Sequence, residues 1–265
     1  AWRAAGVNRV SLGVQSFDDR ALAWMHRTHD AARARNAVEL LRAAGIDNVS
    51  LDLIFALPTI LERSWEADLE HALSLSPSHV SLYGLTVEHG TPFGRWVDRG
   101  EVVEPPEEGY EADFLCAHEV MTAAGFEHYE VSNFARPGRR SRHNWAYWSG
   151  ATYAGIGPAA HGFDGAHRRW NVAPYEQWRR RLAQGHDPIA GTEALTDENR
   201  LTEAVYLGLR TAAGLRLSGW NAASVQPWVQ AGWATVQEDE RLVLRASGWL
   251  RLDALTRSLT AVRNL

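Results

Sequence analysis

The stretch VSLDLIFAL, residues 49–57, is almost continuously apolar and carries a single carboxylate, Asp52. A run of this length and composition predicts a parallel strand that is buried on both faces. Apolar residues also alternate over 8–15, and HVSLYGLTV follows at 79–87, so a strand is predicted on each side. A helix capped by Asp30 and closed by Gly45 separates the first two strands. The predicted fold class is therefore α/β, with a parallel sheet that is either open or barrel-like.

The βα rhythm continues to about residue 135 and is then lost. A helix over 107–125 leads to a fourth predicted strand, HYEVSNF, at 128–134. Residues 186–196 are predicted as a linker, and Asp197 is predicted to cap the next helix. A hairpin (ATVQ at 234–237 with RLVLRA at 241–246) and a final helix then predict a small winged-helix-like unit. The predicted domains are residues 1–190 and 191–265.

Composition excludes several classes of protein. The 265 residues carry a net charge of −5, and acidic residues interrupt the arginines of the last 70 residues, which argues against a nucleic-acid partner. No apolar run reaches the length of a membrane span, and no signal peptide is visible. The single cysteine, Cys116, excludes an internal disulfide, and the cytoplasm is the expected compartment. Because the chain begins at Ala1 in the middle of a pattern, we expect it to be a fragment of a longer protein.

Polar side chains occur at the predicted carboxyl ends of the strands, where parallel α/β folds bind ligands. Gln15 ends the first strand, Asp52 lies in the second, and Thr86 lies at the end of the third. Arg27 lies on the connection after the first strand. A carboxylate inside a strand is most often a structural hydrogen-bonding group, but with Gln15 and Arg27 nearby it is also suited to a zwitterionic ligand.

Residues 128–163 combine histidines and aromatic side chains with glycines in an irregular pattern. Within them RHNWAYW, 142–148, places His143 beside Tyr147 and Trp148, with arginines just before it. Imidazole, flat rings and arginine favour a planar aromatic ligand with carboxylates, such as a porphyrin; a packed domain interface would use the same residue types. YAGIGPAAH, 153–161, lacks the six-position dinucleotide fingerprint, so a nucleotide-binding Rossmann site is rejected.

These segments resemble the radical S-adenosylmethionine superfamily and, within it, the HemW family of heme chaperones, which are similar to oxygen-independent coproporphyrinogen III oxidases. The resemblance covers essentially the whole chain and is carried by GVNRVSLGVQSF, LDLIFALP, SLYGLTVEHGTPF, YEVSNFARPG, SRHNWAYW and YAGIGPAAHGF. RHNWAYW is its most specific segment, because that histidine motif separates HemW-like members from the oxidases.

The resemblance implies a fold and a set of contact residues. It implies part of a parallel (βα) barrel, lacking about its first three βα units, followed by the C-terminal domain. Contacts to S-adenosylmethionine are implied at Gln15, Arg27 and Asp52, with Thr86 and His161 as further contacts. The implied heme motif, expected as a loop, is His143, Asn144, Tyr147 and Trp148, with His143 as the ligand of the heme iron.

The family holds a [4Fe–4S] cluster in a CxxxCxxC loop, whereas this chain has only Cys116. We therefore expect that the chain as given cannot assemble the cluster or perform radical chemistry, and no catalytic residue is assigned. The implied function is binding of heme and its transfer to an acceptor protein of unknown identity, a membrane-associated acceptor included. The alternative is the oxidative decarboxylation of coproporphyrinogen III.

Overall fold

The computed structural model describes residues 1–88 and 90–263 of the chain. The chain divides into two compact units, Ala1–Ser141 and Arg142–Leu265, each with its own buried apolar side chains. The boundary predicted between residues 190 and 191 falls in the second unit, within the strand Ile189–Ala194. As an assignment of family domains, that boundary stays a prediction.

The first unit is built on one mixed sheet. Its strands are β1 (Val10–Gln15), β2 (Val49–Phe55), β3 (His79–Gly84), β4 (Glu127–Glu130) and β5 (Asn133–Ala135). Its helices are α1 (Asp19–Trp24), α2 (Ala31–Ala43), α3 (Trp65–Ser74), α4 (Pro92–Asp98) and α5 (Glu107–Ala123), with a 3₁₀ turn at Thr59–Leu61. In the described part of this unit the five strands are ordered β1-β2-β3-β5-β4, and β2 runs parallel to both β1 and β3. The predicted α/β class is confirmed.

The apolar face of this sheet forms the core of the first unit. Leu51 and Leu53 of β2 are completely buried, and Val80 and Leu82 of β3 lie beside them in the parallel register. Helix α5 packs on β2 and β4, and α2 packs on β1. Helix α2 begins where predicted, because the Asp30 carboxylate accepts the Arg33 N–H at 2.7 Å. The apolar side chains of β2 therefore lie on the face of the sheet that is covered by helices.

The prediction of a single fourth strand over 128–134 is wrong. The chain turns after Glu130 and returns as β5, which pairs antiparallel with both β3 and β4. The Asn133 amide donates a hydrogen bond to the Glu130 carboxylate across the turn. This contact joins the two arms of the hairpin. Because β5 pairs with both β3 and β4, it lies between them in the sheet.

The second unit contains two small antiparallel sheets. Its strands are β6 (His161–Phe163), β7 (His167–Asn171), β8 (Ile189–Ala194), β9 (Leu215–Arg216), β10 (Ala234–Val236) and β11 (Arg241–Leu244). Its helices are α6 (Arg142–Trp148), α7 (Tyr175–Ala183), α8 (Asp197–Arg210), α9 (Gln226–Gln230), α10 (Ala246–Trp249) and α11 (Leu252–Arg263), with a 3₁₀ turn at Ala222–Val225. Among the described residues of this unit, one sheet has the order β6-β7-β8 and the other β10-β11-β9.

Two details of the second unit differ from the sequence prediction. The predicted linker at 186–196 contains β8, which pairs with β7 along its length. The cap of α8 is Thr196 rather than Asp197, because Thr196 and Asn199 form a reciprocal capping box. The predicted hairpin is present as β10 and β11. The winged-helix-like description of the C-terminal part stays a prediction.

A buried polar network crosses the sheet of the first unit. His79 Nδ1 lies 2.8 Å from Ser50 Oγ, and His79 Nε2 lies 2.8 Å from the Tyr129 hydroxyl. Burial lowers the pKa of His79 to about 3, with a smaller effect of the Arg9 charge, and raises the pKa of Tyr129 to about 12. The imidazole is therefore held in its neutral form by its surroundings.

Among the described residues, every helix is too short or too polar to span a lipid bilayer.

Replacing Leu51 with alanine should lower the free energy of unfolding by about 2–5 kcal/mol, because the substitution leaves a cavity in a fully buried layer. Leu40→Ala is the matched control, since Leu40 on α2 is 61% exposed and should change stability by no more than about 0.5 kcal/mol. Denaturant unfolding followed by circular dichroism gives both values. Equal effects of the two substitutions would contradict the assigned core.

Stability should fall as the pH is lowered from 6.5 toward 3, because the unfolded chain binds a proton at His79 in this range and the folded chain does not. The expected slope for this histidine is about 1.4 kcal/mol per pH unit. His79→Gln cannot take up this proton, so its stability should decrease by about 2 kcal/mol less than that of the wild type between pH 7 and pH 5. Denaturant unfolding at the two pH values measures the difference. Parallel pH profiles for the two proteins would show that His79 is not buried in its neutral form.

Candidate functional site

Asp52 lies on the polar face of the sheet in the first unit. Parallel pairing aligns it with Gly13 of β1 on one side and with Ser81 of β3 on the other. The Ser11 hydroxyl donates to the Asp52 carboxylate at 2.8 Å, and Ser81 supplies a second hydrogen bond. Successive residues of a strand point to opposite faces, so the serines and Asp52 form a polar row behind the apolar layer.

Burial raises the pKa of Asp52 above its usual value, although hydrogen bonds from Ser11 and Ser81 and the Arg9 charge act in the opposite direction. Arg9 is itself held by the Asn48 side chain at 3.4 Å and by the Arg139 carbonyl at 3.2 Å. The carboxylate is thus a positioned acceptor with partners inside the sheet. This geometry is compatible with either predicted role of Asp52, as a structural hydrogen-bond acceptor or as a contact to a ligand.

Gln15 is brought next to Asp52 by an irregularity in β1. The register between β1 and β2 shifts between Gly13 and Gln15, and Gln15 has a φ of +70°. A Cβ atom at Gly13 would lie 2.6 Å from Gln15 Nε2, so the Gln15 amide covers Gly13. Because Gly13 is the register partner of Asp52, the amide and the carboxylate are neighbours on one face.

Arg27 and Thr86 line two cavities near the carboxyl ends of β2 and β3. Arg27 borders a cavity of about 270 Å³ that also contacts Ile54, which follows Asp52 on the same face of β2. Thr86 borders a second cavity of about 320 Å³. Leu85 and Phe93 line both cavities, so the two are adjacent. The structure therefore brings Gln15, Arg27, Asp52 and Thr86 into one region of the first unit.

His161 belongs to the second unit, where it lies at the start of β6. Its ring stacks near-parallel to Trp170 of β7, with centroids 6.0 Å apart. Four of the five predicted contacts therefore lie in the first unit and His161 lies in the second, and the role of all five as S-adenosylmethionine contacts stays a prediction.

The segment RHNWAYW is a helix, α6, and not the predicted loop. Its helical spacing places His143 and Tyr147 one turn apart, and their rings meet edge to face at 5.0 Å. His143 and Tyr147 are exposed, whereas Asn144 and Trp148 are half-buried. Arg210 of α8 covers the Trp148 ring at 4.2 Å. The four residues of the predicted heme motif thus lie together on one short helix with an accessible imidazole.

Several residues of these sites were not identified from the sequence. Ser11 and Ser81 bind Asp52, and their alternation with apolar residues on β1 and β3 was the available signal. Arg168 and Arg200 line a cavity beside α6, but they come from β7 and α8. Their proximity depends on how distant elements pack, so no local pattern could have revealed it.

The residues of this chain do not fit a [4Fe–4S] cluster. Its one cysteine, Cys116, lies half-buried on α5, and burial together with the carboxylates of Glu66, Asp113 and Glu119 raises the pKa of its thiol. A thiol with a raised pKa is a poor metal ligand, because the thiolate is the form that binds. Among the described residues, no group of three or more His, Cys, Asp or Glu side chains is arranged to hold a metal ion.

This chain is similar to several known proteins. The family model described as the radical SAM superfamily matches residues 1–72. "Heme chaperone HemW" of Mycobacterium tuberculosis (strain CDC 1551 / Oshkosh) is 39% identical over 259 residues, which cover 97% of this chain and 66% of the relative. "Heme chaperone HemW" of Bacillus subtilis (strain 168) is 38% identical over 213 residues, 80% of this chain and 56% of the relative. The mouse mitochondrial "Radical S-adenosyl methionine domain-containing protein 1" is 35% identical over 262 residues, 96% of this chain and 59% of the relative.

Among solved structures, the fold is similar to that reported as "Coproporphyrinogen III oxidase (HemN) from Escherichia coli is a Radical SAM enzyme", with a TM-score of 0.73. The match covers 98% of this chain and 65% of that chain at 19% identity, so it shows the fold alone. The chain spans less than two thirds of the length of HemN and between 56% and 66% of the curated relatives described above. Together with the strand order and the motif on α6, these matches show that the chain is a HemW-like member of the radical S-adenosylmethionine superfamily.

Proposed function

We propose that this chain binds heme and passes it to an acceptor protein. The observation that carries the proposal is the exposed imidazole of His143, which lies on α6 one turn before Tyr147 and close to a cavity lined by aromatic rings. The names of the relatives, heme chaperones at 38–39% identity, support the same function.

The geometry around His143 suits an axial ligand of heme iron. A histidine ligand binds iron through one ring nitrogen, which needs an accessible imidazole of fixed orientation. The edge-to-face contact with Tyr147 at 5.0 Å restrains the His143 ring while leaving it exposed. Tyr147 in turn meets Tyr153 edge to face at 4.7 Å, which extends the cluster of aromatic rings away from the imidazole. The edge or face of a porphyrin can pack against such aromatic side chains.

We further propose that Gln15, Arg27 and Asp52 contact S-adenosylmethionine, with Thr86 as an additional contact. The neighbouring positions of the Gln15 amide and the Asp52 carboxylate support this part of the proposal, since together they offer donors and acceptors to an amino acid group. When bound together in this superfamily, the cofactor and a cluster supply radical chemistry. The residues of this chain do not fit the cluster, so the proposed role of these residues is limited to binding the cofactor.

The alternative function, oxidative decarboxylation of coproporphyrinogen III, depends on that chemistry. The structural similarity to HemN carries the fold only, and the described residues provide no observation that favours this activity over heme binding. The acceptor protein and the cytoplasmic location remain predictions.

Titration with hemin tests the proposal. The wild-type chain should shift and sharpen the Soret band, and His143→Ala should weaken binding by at least about tenfold, because it removes the proposed ligand of the iron. His186→Ala is the matched control, since His186 is also an exposed histidine of the second unit. It should bind hemin as the wild type does. Identical spectra and affinities for His143→Ala and the wild type would show that α6 does not supply the ligand.

A further inference from the structure

A cavity of about 360 Å³ lies beside α6 within the second unit. Most of its wall is apolar or aromatic, with Tyr147 and Trp148 contributed by α6 and with Tyr153, Phe163 and Leu207 contributed by the following elements. Its volume is at the lower end of the range for small-molecule sites. The cavity can therefore hold one edge or substituent of a large planar ligand rather than the whole of it.

Two arginines line this otherwise apolar cavity. Arg168 pairs with Glu203 at 2.7 Å, and Arg200 pairs with Asp197 at 2.6 Å. Both pairs are partly exposed, and the Asp197 side chain is 97% exposed. Exposed ion pairs contribute little stability, so either guanidinium can turn to another carboxylate at small cost. Guanidinium groups bind carboxylates through paired hydrogen bonds, which makes them suited to an anionic ligand group.

Tyr147 connects the cavity to His143. Its ring contacts the His143 ring at 5.0 Å and the Tyr153 ring at 4.7 Å, and both tyrosines line the cavity. A macrocycle whose iron lies at His143 therefore extends across Tyr147 to reach the cavity with a substituent at its edge. The aromatic wall suits the ring edge, and the arginines suit an acidic substituent.

We propose that this cavity is a carboxylate subsite for a tetrapyrrole, in which Arg200 and Arg168 bind a propionate side chain of the macrocycle. This inference rests on the proposed heme binding for the identity of the ligand. It assigns the orientation of the macrocycle, with the metal toward His143 and the acidic edge toward β7 and α8. Recognition then depends on the carboxylates of the ligand as well as on its iron.

Protoporphyrin IX and its dimethyl ester separate the contribution of the ligand carboxylates from that of the iron, because neither contains iron and only the first has free carboxylates. Binding of each is measured by porphyrin fluorescence in the same detergent for the wild type, Arg200→Ala and Arg179→Ala. Arg179 is the matched control, since it forms an exposed i,i+3 pair with Glu176 as Arg200 does with Asp197. Arg168→Ala is a second variant, which removes the other arginine of the cavity.

We expect Arg200→Ala to weaken protoporphyrin IX binding by about tenfold, the loss of one charged hydrogen-bonding partner, and to leave binding of the dimethyl ester unchanged. Arg168→Ala should show the same ligand dependence, and Arg179→Ala should match the wild type. Equal affinities of Arg200→Ala and the wild type for protoporphyrin IX would overturn the subsite, as would equal losses for acid and ester. Failure of the wild type to bind either porphyrin would also overturn it.

The hemin titration decides the other proposal independently. If His143→Ala weakens hemin binding but the chain binds protoporphyrin IX and its dimethyl ester alike, heme binding at His143 is retained and only the carboxylate subsite is rejected. If the chain prefers the free acid but hemin spectra are unchanged for His143→Ala, the subsite is retained and His143 is rejected as the ligand of the iron.

Discussion

The parallel pairing of β2 with β1 and β3 is the interaction on which the first unit depends. It stacks Leu51, Leu53 and their neighbours into an apolar layer covered by helices. The same register necessarily places Ser11, Asp52 and Ser81 in one row on the opposite face. The core and the candidate ligand site are therefore two sides of one hydrogen-bonded ladder, and a shift of one residue would exchange them.

Local patterns predicted the elements of this unit well, because each is coded within a few residues. The apolar run of β2 and the Asp30 cap of α2 were each sufficient to predict their element. The hairpin of β4 and β5 was missed because its two arms read as one strand, and the contact between Asn133 and Glu130 appears only after the turn has formed. The strand β8 was missed for a similar reason, since its pairing with β7 is set across an intervening helix.

The candidate site residues also include some that the sequence could predict and some that it could not. Gln15, Asp52 and His143 could be proposed from motifs and from resemblance, because each lies in a short distinctive segment. The partners that position them could not, since Ser81 and Arg9 reach Asp52 through pairing of distant strands and through charge. The arginines beside α6 were equally hidden, because Arg168 and Arg200 are more than 30 residues apart and meet only around a cavity.

The close approach at Gly13 has a consequence for how substitutions affect this protein. Gly13 has an ordinary backbone conformation, and the atom that a new methyl group would meet is the mobile end of the Gln15 side chain. An alanine at this position would displace that amide and leave the strand in place. Position 13 therefore separates folding from the chemistry of the sheet face: variation there can be silent in expression and thermal stability while it changes which polar groups lie beside Asp52.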